Sequence, residues 1–421
     1  MADSVWIIGV AILGLILVQM LVVLTSSIRR LGHEQTRRRM EIHLFEQRVA
    51  AARALRAQRE QVTSAWTGYR KFEVQRKVDE GGDICSFYLV PHDRKHLPGF
   101  SPGQYLTFKL DIPGQDKPTV RCYSLSDAPG TPYYRLSIKR LRPPRDKPGA
   151  PSGLASTYFH KQIQQGDILD VKAPTGHFFL DLSKQDPIVL VGGGVGVTPV
   201  LSMLNAVVAN ASKRETWFFY GIRNSSEHIL SDHFRSIAAQ HDHIHSNICY
   251  SDPGPNDTQG EHYDDAEWVS IELFKRRLPS NNYDFYICGP PPMMQSLMAG
   301  LQEWGVPKSR IHFEAFGPAT VKQTAPKGEP SAAADAPPAQ ITFSRSGKTL
   351  AWDPSYDSLL EFAEDHGIEI DSGCRAGNCG TCLTAIKSGE VVYATETGAE
   401  PEAGSCLTCV CKPKGPLVLD A

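Results

Sequence analysis

The chain has 421 residues, of which 41% are hydrophobic and 21% charged, and its net charge at neutral pH is −2. That length is a prior for about three domains, and the near-neutral balance excludes a basic nucleic-acid binder on bulk electrostatics. The charge is unevenly placed: residues 1–66 hold 9 Lys and Arg against 5 Asp and Glu, residues 67–339 hold 29 of each, and residues 340–421 hold 6 against 12.

Residues 5–24 form an apolar run with no charge and one strongly polar residue, Gln19. Twenty residues at 1.5 Å rise reach roughly 30 Å, the thickness of a bilayer core. No Lys or Arg precedes the run, and it is longer than the apolar region of a secretory signal, so residues 1–27 read as an uncleaved anchor. Arg29, Arg30, Arg37, Arg38 and Arg39 follow at once. The positive-inside rule then places everything downstream on the cytoplasmic side of a cytoplasmic (inner) membrane, crossed once.

Residues 28–66 contain no Pro and a single Gly, and are rich in Arg, Glu, Gln and Ala, which predicts a helical stalk. About 36 helical residues would extend roughly 54 Å. Leu31, Ile42, Phe45, Val49, Ala52 and Leu55 recur at loose three- and four-residue steps, but Gln35 and Arg38 break the seam. Self-association through the stalk and a single stalk packed on its own chain both remain open.

From Tyr69 the texture changes to short alternating strands set off by Gly and Pro, which predicts an antiparallel β-barrel over residues 67–182. Arg121-Cys122-Tyr123-Ser124 ends one of these strands, and Gly153-Leu154-Ala155-Ser156 opens a helix. An arginine can meet a pyrophosphate bidentately, a tyrosine can lie flat on an aromatic ring system, and a helix start built of small residues offers its amides to phosphate. Alone, a strand tyrosine beside an arginine is as well explained by packing.

Residues 183–317 alternate apolar strands with helical stretches, the pattern of a parallel α/β sheet. The run Gly192-Gly-Gly-Val-Gly-Val-Thr-Pro199 follows a buried strand but departs from G-x-G-x-x-G, so a nucleotide cradle and a tight strand–helix turn compete for it. Cys288-Gly-Pro-Pro-Pro-Met293 and Glu314-Ala-Phe316-Gly-Pro complete the segment. Residues 318–339, rich in Pro and Ala, read as a semi-extended linker.

Six of the ten cysteines crowd residues 340–421. In so long a chain that points to a metal site in a reducing compartment rather than to a disulfide framework. Cys374, Cys379 and Cys382, with Cys409 farther on, have the C-x4-C-x2-C…C spacing of a plant-type [2Fe–2S] centre. Structural zinc favours two short cysteine pairs instead. Cys406 and Cys411 flank the fourth ligand; Cys409, four residues before Pro413, fits the ferredoxin pattern, which leaves the other two as core residues.

Residues 340–421 resemble plant-type ferredoxins throughout, with the opening strand ITFSRSG, the helix SLLEFAEDHGI and the closing strand LVLD. The resemblance implies a β-grasp fold and one-electron transfer. Residues 67–317, with RCYS, GGGVGVTP, CGPPPM and EAFGP in that order, resemble the ferredoxin–NAD(P)H reductase family, particularly the reductase portion of flavohaemoglobins and oxygenase reductases. By that resemblance Arg121, Gly153 and Ser156 would hold the flavin phosphates, and Tyr123 and Ser124 would face the isoalloxazine, Ser124 near N5. Gly193, Gly194, Gly196 and Thr198 would hold the nicotinamide cofactor's diphosphate. Cys288 and Gly289 would border the nicotinamide, and Glu314 and Phe316 would close the flavin face. Ser124, Cys288 and Glu314 are thus the expected catalytic residues.

The ending FEAFGP favours FAD over FMN. Asp252, where a phosphate-binding arginine would help, favours NADH over NADPH, with Arg223 the dissenting residue. The whole reads as a multidomain, membrane-anchored reductase passing electrons from NADH through FAD and [2Fe–2S] to a separate acceptor protein. No Rieske or di-iron motif is present, so the terminal reaction belongs to another polypeptide: an oxygenase, demethylase or desaturase. A respiratory-type NADH:quinone dehydrogenase is the alternative, and a membrane iron–sulfur sensor would leave the flavin and nicotinamide motifs unexplained.

Overall fold

Three sheets follow one another along the chain, in the order that the changes of sequence texture predict. The computed structural model describes Met20 and residues 66–116, 118–143, 149–316, 339–377, 380–393, 397 and 401–421. Nearly all of the anchor and of the stalk and most of the linker therefore lie outside the described residues. Among the described residues no helix is long and apolar enough to cross a membrane.

The first sheet has six strands: β1 (Arg70–Gly81), β2 (Ile84–Pro91), β3 (Tyr105–Leu110), β4 (Thr119–Ser124), β5 (Tyr134–Lys139) and β6 (Ile168–Val171). They lie in the order β4-β3-β6-β1-β2-β5, and every neighbouring pair is antiparallel. A bridge between Leu125 and Leu136 brings the end of β4 to β5 and closes the barrel. Helix α1 (Leu154–Lys161) plugs it: Phe159 meets Phe87 and Phe108 edge-on, with ring centroids 5.3 and 5.5 Å apart. The Lys77 ammonium donates to the carbonyls of Phe159, His160 and Ile163 at 3.3, 2.7 and 2.8 Å. Those carbonyls at the helix end would otherwise lack partners, and the cation also suits the helix dipole there.

The second sheet comprises β7 (Ile188–Gly193), β8 (Thr216–Ile222), β9 (Ile244–Tyr250), β10 (Asp284–Cys288) and β11 (Ile311–Glu314). Its order is β11-β10-β7-β8-β9, and all pairs are parallel. Between the strands run α2 (Val197–Ala209), α3 (Ser231–Gln240), α4 (Ile271–Arg277) and α5 (Pro291–Glu303). Strand β7 is wholly buried, as a strand covered on both faces must be. Ile188 and Leu190 join a core with Leu204, Phe218 and Phe234. Val189 and Val191 join the opposite core with Phe274, Ile287 and Leu297. The direction of winding reverses at β7, which makes its carboxyl end the switch point where such sheets bind ligands.

The barrel and this domain share surfaces. Ile84, Phe178 and Leu180 belong to the core cluster built around α2, so the apolar interior runs across the boundary expected at residue 182. Beside it lies a polar hub at Asp127. Its carboxylate accepts from Asn205 Nδ2 at 2.9 Å and Tyr133 Oη at 3.2 Å, and lies 3.4 Å from Arg135 Nη1. Its carbonyl accepts from Ser202 Oγ at 2.7 Å. His233 Nε2 donates in turn to Asn205 Oδ1 at 2.7 Å.

The third module has β12 (Gln340–Phe343), β13 (Lys348–Ala351), β14 (Leu383–Ser388), β16 (Ser405–Leu407) and β18 (Leu417–Leu419), in the order β13-β12-β18-β14-β16, and a small ribbon of β15 (Val391–Tyr393) and β17 (Cys411–Pro413). The first and last strands pair in parallel, as in the β-grasp the resemblance implies. Helix α6 (Leu359–Asp365) starts at Ser358, whose Oγ accepts from the Glu361 amide at 3.2 Å. The helix buries Leu359 and Phe362 against Ile341, Phe343 and Leu419.

Asp127→Ala should lower the thermal stability of the purified protein by about 2–3 kcal/mol, because it strands the buried Arg135 and Asn205 together. Asp127→Asn should cost less, and a melting curve of each variant checks the order.

Candidate functional site

The glycine run leaves β7 through a tight turn (Gly194–Gly196) directly into α2. A Cβ at Gly196 would sit 2.4 Å from the Cys288 carbonyl oxygen, and one at Gly193 would sit 2.7 Å from Pro290 Cδ. A Cβ at Gly289 would stand 3.0 Å from the Gly193 Cα. These glycines let two chain crossings touch at the switch point. Gly194 is different: its φ is +53° and open space faces it. Thr198 is buried, and its hydroxyl donates to the Val195 carbonyl at 3.1 Å, which stiffens the turn. The start of α2 carries no side-chain cap, but its first amide, at Val197, already donates to the Gly194 carbonyl, and Pro199 has no N–H to offer. A cofactor diphosphate would find room at Gly194, while Gly193, Gly196 and Thr198 shape the turn around it.

Cys288 ends β10, in register with Gly192 on one side and Glu314 on the other. Burial pushes its thiol well above the ordinary value, and the neighbouring Glu314 adds to the shift. It is a neutral thiol and no ready nucleophile.

Glu314 brings the nicotinamide domain to the barrel. It is 5% exposed, and one of its carboxylate oxygens lies 3.5 Å from Ser124 Oγ at the end of β4. Both border a cavity of about 180 Å³ whose lining comes from all three modules: Arg121 and Ser124 from the barrel, Glu314 and Phe316 from the α/β domain, Cys374 and Arg375 from the cysteine loop. Phe316 is 37% exposed, which leaves an aromatic face for a planar ring.

Arg121 tests whether a flavin phosphate belongs here. Burial lowers its basicity, and the guanidinium of Arg375 is among the charges acting on it. Its Nη1 donates to the Val120 carbonyl at 2.7 Å. Among the described residues no carboxylate forms an ion pair with it, which leaves a half-buried cation suited to an anionic ligand.

The other predicted flavin contacts are placed differently. Tyr123 packs edge-on against Phe108 and Phe159, with centroids 5.9 and 5.1 Å away, and lies outside the lining of the cavity. Burial pushes its hydroxyl far above the ordinary range. Ser156 Oγ accepts from the Leu141 amide at 3.1 Å and donates to the Gly153 carbonyl at 3.2 Å. A Cβ at Gly153 would fall 2.7 Å from Leu141 Cβ. Gly153 and Ser156 therefore build the uncapped start of α1, whose amides remain for phosphate.

In the cysteine loop, Cys382 Sγ and Cys409 Sγ lie 3.1 Å apart, close enough for one iron atom to bind both. The Gly377 amide donates to the Cys409 sulfur, and the Ala376 amide donates to Cys374 Sγ at 3.4 Å. Amides aimed at sulfur are what a thiolate-bound cluster needs around it. Gly377 adopts φ +74°, and a Cβ there would press on Val410 at 2.9 Å. Cys379 lies outside the described residues, and no three metal donors converge among those described. Cys406 and Cys411 are fully buried among Ile341, Phe343 and Leu417, their thiols hydrogen-bonded to each other. They belong to the core, whereas Cys382 and Cys409 share a separate cluster with Leu360 and Val410.

At the far end of the sheet, Arg223 Nε and Nη2 donate to Asp252 Oδ2 at 3.0 and 2.8 Å. This pairing across 29 residues is invisible in the sequence, as are the Asp127 hub and the approach of Arg375 to the barrel. The one available signal for Arg375 is its position next to Cys374.

Cys409→Ser should abolish or alter the one-electron EPR signal of the reduced protein, because it removes a thiolate beside Cys382. Cys406→Ser and Cys411→Ser should keep the signal's shape but lower stability, since each leaves a buried polar group in the core.

Three family models match: an oxidoreductase FAD-binding domain over residues 71–180, an oxidoreductase NAD-binding domain over 190–298 and a 2Fe–2S iron–sulfur cluster binding domain over 341–414. The flavohemoprotein of Halalkalibacterium halodurans is 39% identical over 62% of this chain and 62% of its own length. That of Bordetella pertussis is 37% identical over 64% and 66%. The chain thus spans under two thirds of the flavohemoproteins it matches. Among solved structures, the FAD/NAD-binding domain of a nitric oxide dioxygenase from Vibrio cholerae is 32% identical, with a TM-score of 0.52, over 60% of this chain and 100% of that one. Phthalate dioxygenase reductase is 27% identical, with a TM-score of 0.54, over 84% and 98%. The chain belongs to the FAD- and NAD-binding reductase family, as an NAD(P)H-dependent oxidoreductase that uses FAD, a [2Fe–2S] cluster and NADH.

Proposed function

We propose that the chain is a membrane-anchored reductase that moves electrons from NADH through FAD and its [2Fe–2S] cluster to a separate acceptor protein, an oxygenase. The observation that carries this reading is the single cleft lined by Ser124, Glu314 and Cys374. A residue from each redox module reaches it, so no large domain movement separates the flavin position from the cluster. When bound, the flavin takes a hydride from the nicotinamide, and the cluster carries single electrons onward. Ser124 and Glu314 would border the flavin's ring and help to orient it. Cys288, as a neutral thiol, would wall the nicotinamide position without adding charge. Phe316 would offer the ring an aromatic face and help to exclude water.

The solved phthalate dioxygenase reductase is described as a modular structure for electron transfer from pyridine nucleotides to [2Fe–2S]. Its name ties it to a dioxygenase, which supports an oxygenase as the acceptor here. The apolar run at residues 5–24 supports the tether and a cytoplasmic location for the redox modules. A tether raises the effective concentration of a membrane-held acceptor, to about millimolar when the linker suits the span.

NADH preference rests on Arg223. Its guanidinium is held by Asp252, so a 2′-phosphate would have to displace a carboxylate and then lie beside it. NADH should exceed NADPH in kcat/KM by at least tenfold, about 1.4 kcal/mol. Asp252→Asn should narrow the gap by freeing Arg223; a gap that stays constant would mean Arg223 is no part of the selection.

Three proteins test the relay: the full chain, one lacking residues 1–27 and one ending at residue 316. Assayed with FAD in saturating excess, all three should reduce ferricyanide with NADH, because the flavin alone serves that acceptor. The last should fail with cytochrome c. The protein lacking residues 1–27 should couple more slowly than the full chain to acceptor in native membranes. Loss of ferricyanide activity on removing the cluster module, with FAD still bound, would place the cluster before the flavin and overturn the order. Coupled turnover abolished by removal of quinone would favour the respiratory alternative.

A further inference from the structure

Arg375 follows the cluster ligand Cys374 directly and adopts φ +55°, a left-handed conformation uncommon outside glycine. Arg375 lines the cleft shared with Arg121, Ser124, Glu314 and Cys374. One edge of its guanidinium is held by Glu364 on α6. A guanidinium has five N–H donors in a planar fork, so one carboxylate leaves donors to spare. Arg121 faces the same cleft from the barrel, half-buried, without an ion-pair partner among the described residues, and its basicity is lowered by burial and by the charge of Arg375. Glu364 offsets part of both charges, yet Arg121 still has no ion-pair partner among the described residues, so an anion in the cleft would find a cation on each module.

We propose that Arg375, carried on the cluster loop, is a flavin-binding residue that joins Arg121 in clamping the flavin's phosphate, so that the ferredoxin-type module completes the flavin site. The proposal rests on the reading of this cleft as the flavin site. Arg121 approaches the phosphate from the barrel strand β4. Arg375 approaches from the cluster loop, and Glu364 holds one edge of its fork. A bidentate arginine pair suits phosphate, whereas a neutral ring offers neither guanidinium a charged partner. It follows that flavin retention and docking of the cluster module reinforce each other, since the phosphate is then held from both modules at once.

The experiment uses the full chain, cluster-loaded and depleted of flavin, titrated with FAD and with riboflavin, which has no phosphate; flavin fluorescence reports binding. Arg375→Asn suits the test because asparagine tolerates a left-handed backbone. It should weaken FAD binding at least tenfold and change riboflavin binding less than twofold. Arg375→Lys, a point charge in place of a fork, should fall between. Glu364→Gln should leave FAD affinity within threefold of wild type, whereas a purely structural role for the Arg375–Glu364 pair would make it as damaging as Arg375→Asn. The visible absorption of the cluster confirms that each variant is folded around its iron. FAD binding to Arg375→Asn at wild-type strength, or an equal loss for FAD and riboflavin, overturns the proposal. A wild-type chain that binds no flavin overturns the flavin-site reading together with it.

Discussion

The contact between the ends of β7 and β10 is the constraint on which the rest of the site depends. A Cβ at Gly196 would stand 2.4 Å from the Cys288 carbonyl oxygen, so only glycine allows α2 to begin this close to the neighbouring strand. Because β10 is fixed there, β11 is fixed beside it through the Cys288–Glu314 register. Glu314 then reaches Ser124 on the barrel, and the cavity between them becomes the meeting point of three modules. The sequence Gly-Gly-Gly-Val-Gly serves geometry first and ligand binding second, with Gly194 as the residue of the run that faces open space.

Charge acts on top of that geometry in two opposite ways. Arg223 is paired with Asp252 within the protein, so an added phosphate would compete with that carboxylate. Arg121 has no ion-pair partner among the described residues, which leaves it open to an anion. The same side chain is thus used once as a closed position and once as an open one, and the difference lies entirely in whether a carboxylate sits within about 3 Å. The ion pair at Arg223 is solvent-exposed and contributes little to stability.

What the sequence makes legible follows from range. The cysteine spacing, the strand alternation and the helix start at Ser358 are local, decided by residues within a turn or a loop of one another. They identify the modules and three of the described cluster positions. The roles of Gly193, Gly196, Thr198, Gly153 and Ser156 are legible only in part, because a turn that holds phosphate and a turn that merely packs use the same small residues. Tyr123 shows the limit: its packing on Phe159 depends on a helix 36 positions away that enters the barrel. Asp127, the Arg223–Asp252 pair and Arg375 depend on elements brought together by topology, and no local pattern encodes such partners.

The parallel pairing of β12 with β18 has a consequence for biogenesis. Strand β18 lies between β12 and β14 in the middle of its sheet, so the third module cannot close until residue 419 has left the ribosome. Cys374, Cys379 and Cys382 are made before Cys409, and for that interval they are thiols on an unfinished surface. The barrel and the parallel sheet are complete in sequence by residue 314 and can fold while synthesis continues. Iron must therefore arrive last, at a module whose long-range closure makes it slow to fold, onto a partner that is already waiting in shape. Shortage of iron would then be expected to leave a population in which the first two modules are finished and the third is open to proteolysis.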